Sequence, residues 1–322
     1  MAVQRFGQAN GAGDVDALFL KLFAGEVITA FEQKNVALKH TLVRTISNGK
    51  SASFPTHGRT VAAYHTPGNV IAGDTLNVAE TVITIDDLLT ASHWIANIDE
   101  AKAHYDYRSI HTTEIGRALA NQMDKHILQM GVLAARSANT VTGMPGGSQI
   151  GTNTAGAPAS ANFLTNGEHL ADAMFLAAQV LDEKEIPEDD RVAFVRPAQY
   201  YALVKAVRNI NRDWGGSGSF ADGNIVKVAG IEIVATNSLP RTDMSAVTGA
   251  AAGTNNRYRG NFANTSALVI QKSALATVKL LDLAIETEYS AERQATFTVG
   301  KYAVGHGVLR PEASIEIVNA IV

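Results

Sequence analysis

Four groups of residues have types and spacings that could do chemistry. Asn48-Gly49-Lys50-Ser51 has the ending of a phosphate-cradling loop, in which backbone N–H groups hold the anion and a hydroxyl meets its metal. That loop needs a first glycine at position 44, and the chain has Arg44 there. Gly216 and Gly218 begin a dinucleotide fingerprint, but position 221 is Ala221 and the third glycine is missing. Gly215-x-Ser217 would be a nucleophile elbow with glycine at 219, where the residue is Ser219. Nine histidines invite a metal reading. His104, His111 and His126 fall on one segment, but no histidine pair has the i, i+4 spacing with an intervening Glu that zinc hydrolases use. Asp182, Glu183, Glu185, Glu188, Asp189 and Asp190 flank Pro187 and could attract a cation, or equally form a solvated helix end. No set of acid, base and nucleophile emerges. The expectation is a chain with no catalytic, cofactor-binding or metal-binding residues, hence not an enzyme.

Composition points away from several other classes. There is no cysteine among 322 residues, which excludes disulfides, thiolate catalysis and cysteine-bound zinc. A net charge of −4 argues against gripping a nucleic-acid backbone, which needs clustered Lys and Arg. Charged residues make up 18% of the chain, below the roughly 25% of an average soluble protein. A surface so poor in charge suits extensive subunit contact. The 46% hydrophobic content is ample for burying cores, and the length suggests about two domains. Ala17–Phe31 is interrupted by Lys21 and Glu26 and preceded by Asp14 and Asp16, so it reads neither as a signal peptide nor as a membrane span. It reads as an amphipathic helix with Leu20, Phe23, Ala24, Val27, Ile28 and Phe31 on one face. The chain is therefore expected to be soluble, synthesised in the cytoplasm, and without a membrane partner.

The elements carry more information than the motifs. Residues 47–74 are punctuated by glycine and proline, with Ala52-Ser53-Phe54 and Thr60–Tyr64 between them as strands of a long hairpin. A two-stranded ribbon alone is marginal in water, because its apolar side lacks a second layer. Such an arm makes physical sense when another molecule supplies that layer. Lys39–Ile46 and Glu80–Ile85 alternate as strands, and Ser109–Arg136 carries the strongest helical periodicity, through Ile115, Leu119, Met123, Ile127 and Met130. At 1.5 Å per residue this helix is a rod of roughly 38 Å, long enough to be a spine for other elements. A small-residue connection over 139–166 follows. Helices at 168–184 and 197–207 and strands at 191–195, 231–235, 267–271, 277–281, 296–304 and 314–318 complete the reading, with 286–293 as a short helix or turn. The class is α+β.

Several runs together resemble the major capsid protein of short-tailed, autographivirus-like bacteriophages. They are Leu18–Phe31 (LFLKLFAGEVITAF), Gly49–Pro55 (GKSASFP), Gly58–Gly68 (GRTVAAYHTPG), Val82–Ala91 (VITIDDLLTA), His104–Ser109 (HYDYRS), Thr277–Glu286 (TVKLLDLAIE) and Lys301–Ala313 (KYAVGHGVLRPEA). They lie in order along the chain, and the region of about 137–265 resembles the family less clearly. The resemblance implies the tailed-phage capsid fold: an N-terminal arm (1–46), an extended β-hairpin loop (47–80) and a peripheral domain with its spine helix (81–139). An axial domain (140–272) and returning peripheral strands (273–322) would follow. It implies hexamers and pentamers closing an icosahedral virion shell around double-stranded DNA, with no sequence-specific binding. A scaffolding protein and a portal would be partners, and assembly would take place in the host cytoplasm. An encapsulin-like nanocompartment shell of the same fold, or an α/β enzyme of unknown reaction, are the alternatives.

Interface candidates on this reading are Phe23, Val27, Phe31, Arg59, Tyr64 and Arg310. Gly305-His306-Gly307 suggests a bulge or a close backbone approach. Arg310, held extended by Pro311, would either meet a carboxylate of a neighbour or be a solvated or intrasubunit arginine. Truncating a buried Phe costs about 3–5 kcal/mol, so Phe23→Asp is expected to lower shell yield more than Lys21→Asp. Equal particle numbers by electron microscopy would remove this helix from the interface.

Overall fold

The computed structural model describes residues 35–98 and 107–319, apart from 61, 63, 72, 74, 153, 158–161 and 207–226. Phe23, Val27 and Phe31 lie outside the described residues. In chain order the elements are β1 (Leu42–Thr45), β2 (Ser51–His57), β3 (Val78–Thr84), β4 (Leu89–Ala96), α1 (Tyr107–Ala135), β5 (Ser148–Ile150) and α2 (Gly167–Glu183). There follow β6 (Arg191–Val195), α3 (Pro197–Lys205), β7 (Lys227–Val228), β8 (Ile231–Ala235), β9 (Thr265–Gln271), β10 (Leu275–Ser290), β11 (Ala295–Val308) and β12 (Ser314–Val318). The described strands form a four-stranded sheet β1-β10-β11-β4, a six-stranded sheet β5-β12-β9-β6-β8-β7, and the ribbon β2-β3.

Helix α1 joins the two larger sheets. Proline-free over its 29 residues, it buries Ile115, Leu119, Met123 and Ile127 at four-residue spacing. Its first half lies on β11, where a Cβ on Gly300 would meet Ile115 at 2.8 Å and Leu119 at 3.0 Å. Only a glycine admits the helix that closely. Its second half crosses the six-stranded sheet, where Ser314 Oγ donates to the carbonyl of Gly131 at 2.8 Å. The central strands β6 and β12 are buried at every position; β6 is nearly all apolar, whereas β12 alternates Ser314 and Glu316 with its isoleucines. Helix α2 starts at Asn166, whose side chain accepts from the N–H groups of Glu168 and His169.

Several sequence expectations need correction. The partner of β2 is β3, with Ser51 opposite Thr84 and His57 opposite Val78; Thr60, Ala62 and Tyr64 carry no strand. The ladder closes where Gly58 N–H donates to Asn77 O at 2.7 Å, and Thr66-Pro67-Gly68-Asn69 turns with Gly68 at φ 97°. Residues 286–290 continue β10, so the turn begins only at Ala291. β4 was not expected; its Thr90, Ser92 and His93 obscure any pattern, and pairing with β11 makes it a strand. β12 lies between β5 and β9 in the six-stranded sheet rather than with β10 and β11.

One carboxylate fastens the end of α1 to the six-stranded sheet. Glu316 of β12 is fully buried and accepts from Arg136 Nε and Nη2 at 2.7 Å each, from Gln149 Nε2 at 2.8 Å, and from Thr265 Oγ1 at 2.7 Å. Those donors stand just past the end of α1, on β5 and on β9. Removing one partner of a buried ion pair leaves the other charge uncompensated. Glu316→Ala is therefore expected to destabilise the unassembled subunit by about 3–5 kcal/mol, read as a lower urea midpoint. A loss below about 1 kcal/mol would mean water replaces the carboxylate at no structural expense.

Candidate assembly interface

The ribbon β2-β3 is the arm anticipated from the sequence, and its apolar residues divide into two sets. Near its root, Ala52, Ile83 and Ile85 are buried with Ala276, Val278 and Ala303 in a small core of their own. Further out, Tyr64 and Val70 are essentially fully exposed, at 106% and 94%, and Ile71, Leu76, Val78 and Val82 are exposed as well. Val78 and Val82 lie on the ribbon and the other four in the loop beyond β2, and none of the six is covered within the subunit.

The root is held rigidly. Just after β3, the Asp86 carboxylate accepts from the backbone N–H groups of Asn255 and Asn256 at 2.9 Å each and from the Tyr258 hydroxyl at 2.5 Å. Asn256 Nδ2 adds a bond to Asp86 at 3.1 Å and another to Thr84 O at 2.8 Å. Burial alone would raise the Asp86 pKa, but these donors outweigh it and hold the group below the usual carboxylate value. The Tyr258 hydroxyl is pushed well above its ordinary value by burial and by the Asp86 charge, so it stays a donor. Its ring stacks on His126 of α1 at 4.3 Å, and His126 Nε2 donates to Ala250 O at 2.7 Å.

Gly305 and Gly307 admit the ribbon to β11. A Cβ on Gly305 would sit 2.0 Å from Thr84 O, and one on Gly307 would sit 2.6 Å from Ile83. The close-approach reading of Gly305-His306-Gly307 is the one observed, and the β10–β11 register runs through it without a bulge. Between the glycines, His306 is buried with Nδ1 at 2.9 Å from Thr277 Oγ1.

Of the residues singled out from sequence, Arg59 pairs with Glu185 at 2.5 Å and donates to Lys184 O at 2.9 Å, tying the arm beyond β2 to the end of α2. Tyr64 stands free of that tie. Arg310 Nε donates to Glu312 Oε1 of its own chain at 2.8 Å, and Glu312 also accepts from Asn139 at 2.7 Å. Asn48–Ser51 leads into a strand at the arm's foot, not into a helix. Gly215–Ser219 lies outside the described residues. Of the acidic group, Asp182 pairs with Arg191, Glu183 accepts from Gln179, and Glu185 meets Arg59. His111 faces His93 while His126 faces Tyr258, and His104 lies outside the described residues. Among the described residues, no group of three or more His, Cys, Asp or Glu side chains could hold a metal ion. No described helix is long and apolar enough to cross a membrane. Sequence reasoning missed Asp86, Asn256 and Tyr258, whose partnership spans about 170 residues of chain. The only local signal was the Asn255-Asn256 pair within a small-polar stretch.

The root makes stability depend on pH. Burial, then the neighbouring His126, pushes His306 from 6.5 down to about 3. As pH falls below 6.5 the unfolded chain gains a proton that the folded one does not, so stability is lost through that window. His126, lowered mainly by burial, acts in the same direction. Asp124 opposes them: burial raises it to about 6 despite bonds from Val36 and Ala37 N–H groups. Its folded form therefore takes up a proton first, adding stability as pH falls from about 6 toward 3.8. Asp86 adds a further loss only in more acid solution. His40 and His111, also lowered mainly by burial, act in the same direction. With His306 and His126 set against Asp124, the root alone is expected to account for a loss of up to about 1.4 kcal/mol per pH unit below 6.5, and His306→Gln should flatten the slope by its share. Equal urea-midpoint slopes for the two proteins between pH 7.5 and 5 would place the acid sensitivity elsewhere (pH values chosen to span about two units around the unfolded histidine value).

The Gp10A-like major capsid protein family matches residues 53–318. The chain is 36% identical over 325 residues to the major capsid protein of Escherichia phage T7, covering 95% of this chain and 93% of that one. It is 34% identical to the major capsid protein of Enterobacteria phage T3, covering 97% and 94%. Among solved structures, the capsid structure of the Cyanophage P-SCSP1u matches with a TM-score of 0.80 at 43% identity, covering 100% of this chain and 99% of that one. The arm, the spine helix and the two sheets are those of a tailed-phage capsid protein. This chain belongs to the Gp10A-like family of phage major capsid proteins.

Proposed function

We propose that the chain builds an icosahedral shell of hexamers and pentamers around double-stranded DNA, with the arm 47–80 of each subunit lying on its neighbour. The observation that carries this reading is the set of exposed apolar residues on the ribbon (Val78, Val82) and in the loop beyond it (Tyr64, Val70, Ile71, Leu76), on an arm whose root is fixed. A fixed root and an unsatisfied tip suit a part that must find the same surface on every copy. Residues 1–46 supply a second arm, with Phe23, Val27 and Phe31 as its contacts and Ala37 and β1 anchoring its C-terminal part to the subunit body. Residues 81–139 and 273–322 form the peripheral part, except that β12 joins the six-stranded sheet, and 140–272 form the axial part pointing to the capsomer centre. Arg59 and Arg310 stand at the edges of these contacts. The guanidinium of Arg310, about one-third exposed beside Glu312, meets a neighbour's carboxylate as well. A mildly acidic wall does not clamp packed DNA. A scaffolding protein and a portal direct closure in the host cytoplasm, and the chain itself performs no catalysis.

Because Gly58 N–H already meets Asn77 O, residues 59–76 can be replaced by a short Asn-Gly turn without disturbing the ladder. The shortened subunit loses the exposed Arg59–Glu185 pair, so it is expected to fold with a stability lowered by no more than about 0.2–1 kcal/mol and to yield no closed shells by sedimentation and electron microscopy. Normal shells from it would exclude the arm from assembly.

A further inference from the structure

The joint between the four-stranded sheet and the arm carries reactive chemistry of its own. β1 ends at Thr45 and β2 begins at Ser51, and the link between them contains Asn48-Gly49. Both residues are exposed, and Gly49 has φ 121°. A Cβ built there would find nothing nearer than 3.8 Å. Neither the Asn48 side chain nor the Gly49 N–H makes a hydrogen bond among the described residues. The flanks are held: Ile46 N–H donates to Lys279 O at 2.9 Å, and Lys50 O accepts from Ile85 N–H at 3.0 Å.

The chain supplies its own control. Asn166-Gly167 is the same dipeptide, but Asn166 Oδ1 is occupied by the N–H groups of Glu168 and His169 at 3.0 and 3.4 Å. Gly167 is helical and packed so tightly that a Cβ would lie 1.9 Å from Ala202 O. An asparagine side chain reacts with the next backbone nitrogen only when both are free to rotate toward each other.

We propose that Asn48 is a site of spontaneous deamidation that changes the charge and the chain path at the foot of the arm. The Gly49 backbone nitrogen attacks the Asn48 side-chain carbonyl carbon. The new C–N bond closes a succinimide, and the side-chain nitrogen leaves as ammonia, taking the Gly49 amide proton. Water then opens the ring at either carbonyl, giving aspartate or isoaspartate. Both products add a negative charge, and isoaspartate also adds a methylene to the main chain. With Ile46 and Lys50 pinned, the added length distorts 47–49 and leaves a new carboxylate at the foot of the arm, where a neighbouring subunit would meet it. This consequence for assembly rests on the proposed role of the arm; the chemistry does not.

The test incubates the full-length subunit in mildly alkaline buffer and maps its peptides by mass spectrometry over time. Residue 48 is expected to gain the mass of amide-to-acid conversion at least ~10-fold faster than residue 166, the factor that breaking one or two protecting hydrogen bonds represents. It should also separate into two products of equal mass, and denaturant should bring the two rates together. The proposal is overturned if residue 48 of the native subunit keeps its amide as long as residue 166 does. In a second arm, aged wild-type subunit should yield fewer closed shells than fresh subunit. Asn48→Asp, which has the charge without the extra methylene, should fall between them. Equal yields from aged and fresh protein would overturn the effect on assembly while leaving the deamidation standing.

Discussion

The direction of the arm depends on one carboxylate. Asp86 gathers donors from Asn255, Asn256 and Tyr258 immediately after β3 leaves the ribbon. A buried carboxylate with its lone pairs filled resists both rotation and protonation, because either leaves several donors unpaired in a medium that cannot solvate them. The neighbouring pieces inherit this fixed point. Tyr258 passes it to α1 through its stack on His126, and Gly305 and Gly307 let the ribbon lie against β11 at a separation no side chain would allow. The arm is thus rigid where it begins, whatever its exposed part meets.

That rigidity matters for a subunit used in many copies. A contact too weak to hold two molecules becomes decisive when each subunit makes it on several sides, provided that each copy presents it in the same geometry. The long helix serves the same end. It packs on β11 at one end and on the six-stranded sheet at the other, so the two sheets move as one body. The low share of charge agrees with a surface meant to meet its own kind, and membership in a phage capsid family leaves the nanocompartment reading without support.

Much was legible before any coordinates. The periodicity of Ile115, Leu119, Met123 and Ile127 set the long helix to within two residues, since an unbroken four-residue repeat has no other regular structure to serve. Arg191–Val195 and Ser314–Val318 were readable as strands from their apolar, β-branched runs, and the glycine and proline punctuation marked the arm. The failure of every catalytic motif was equally visible, because each such motif requires a residue type at a fixed offset.

What only the tertiary structure decided is pairing over distance. The sequence by itself determined the long helix, most of the strands and the place of the arm, because those follow from local periodicity and turn chemistry; it missed β4 and misread 60–64 and 286–290. It did not determine that β3, rather than Thr60–Tyr64, returns beside β2, or that β12 joins the six-stranded sheet. Nor did it determine that Asp86 meets Tyr258, that Glu316 meets Arg136, or that Asn48 is free where Asn166 is bound. Each of those depends on which groups are left unsatisfied when the chain collapses, and no window of neighbouring residues contains both partners.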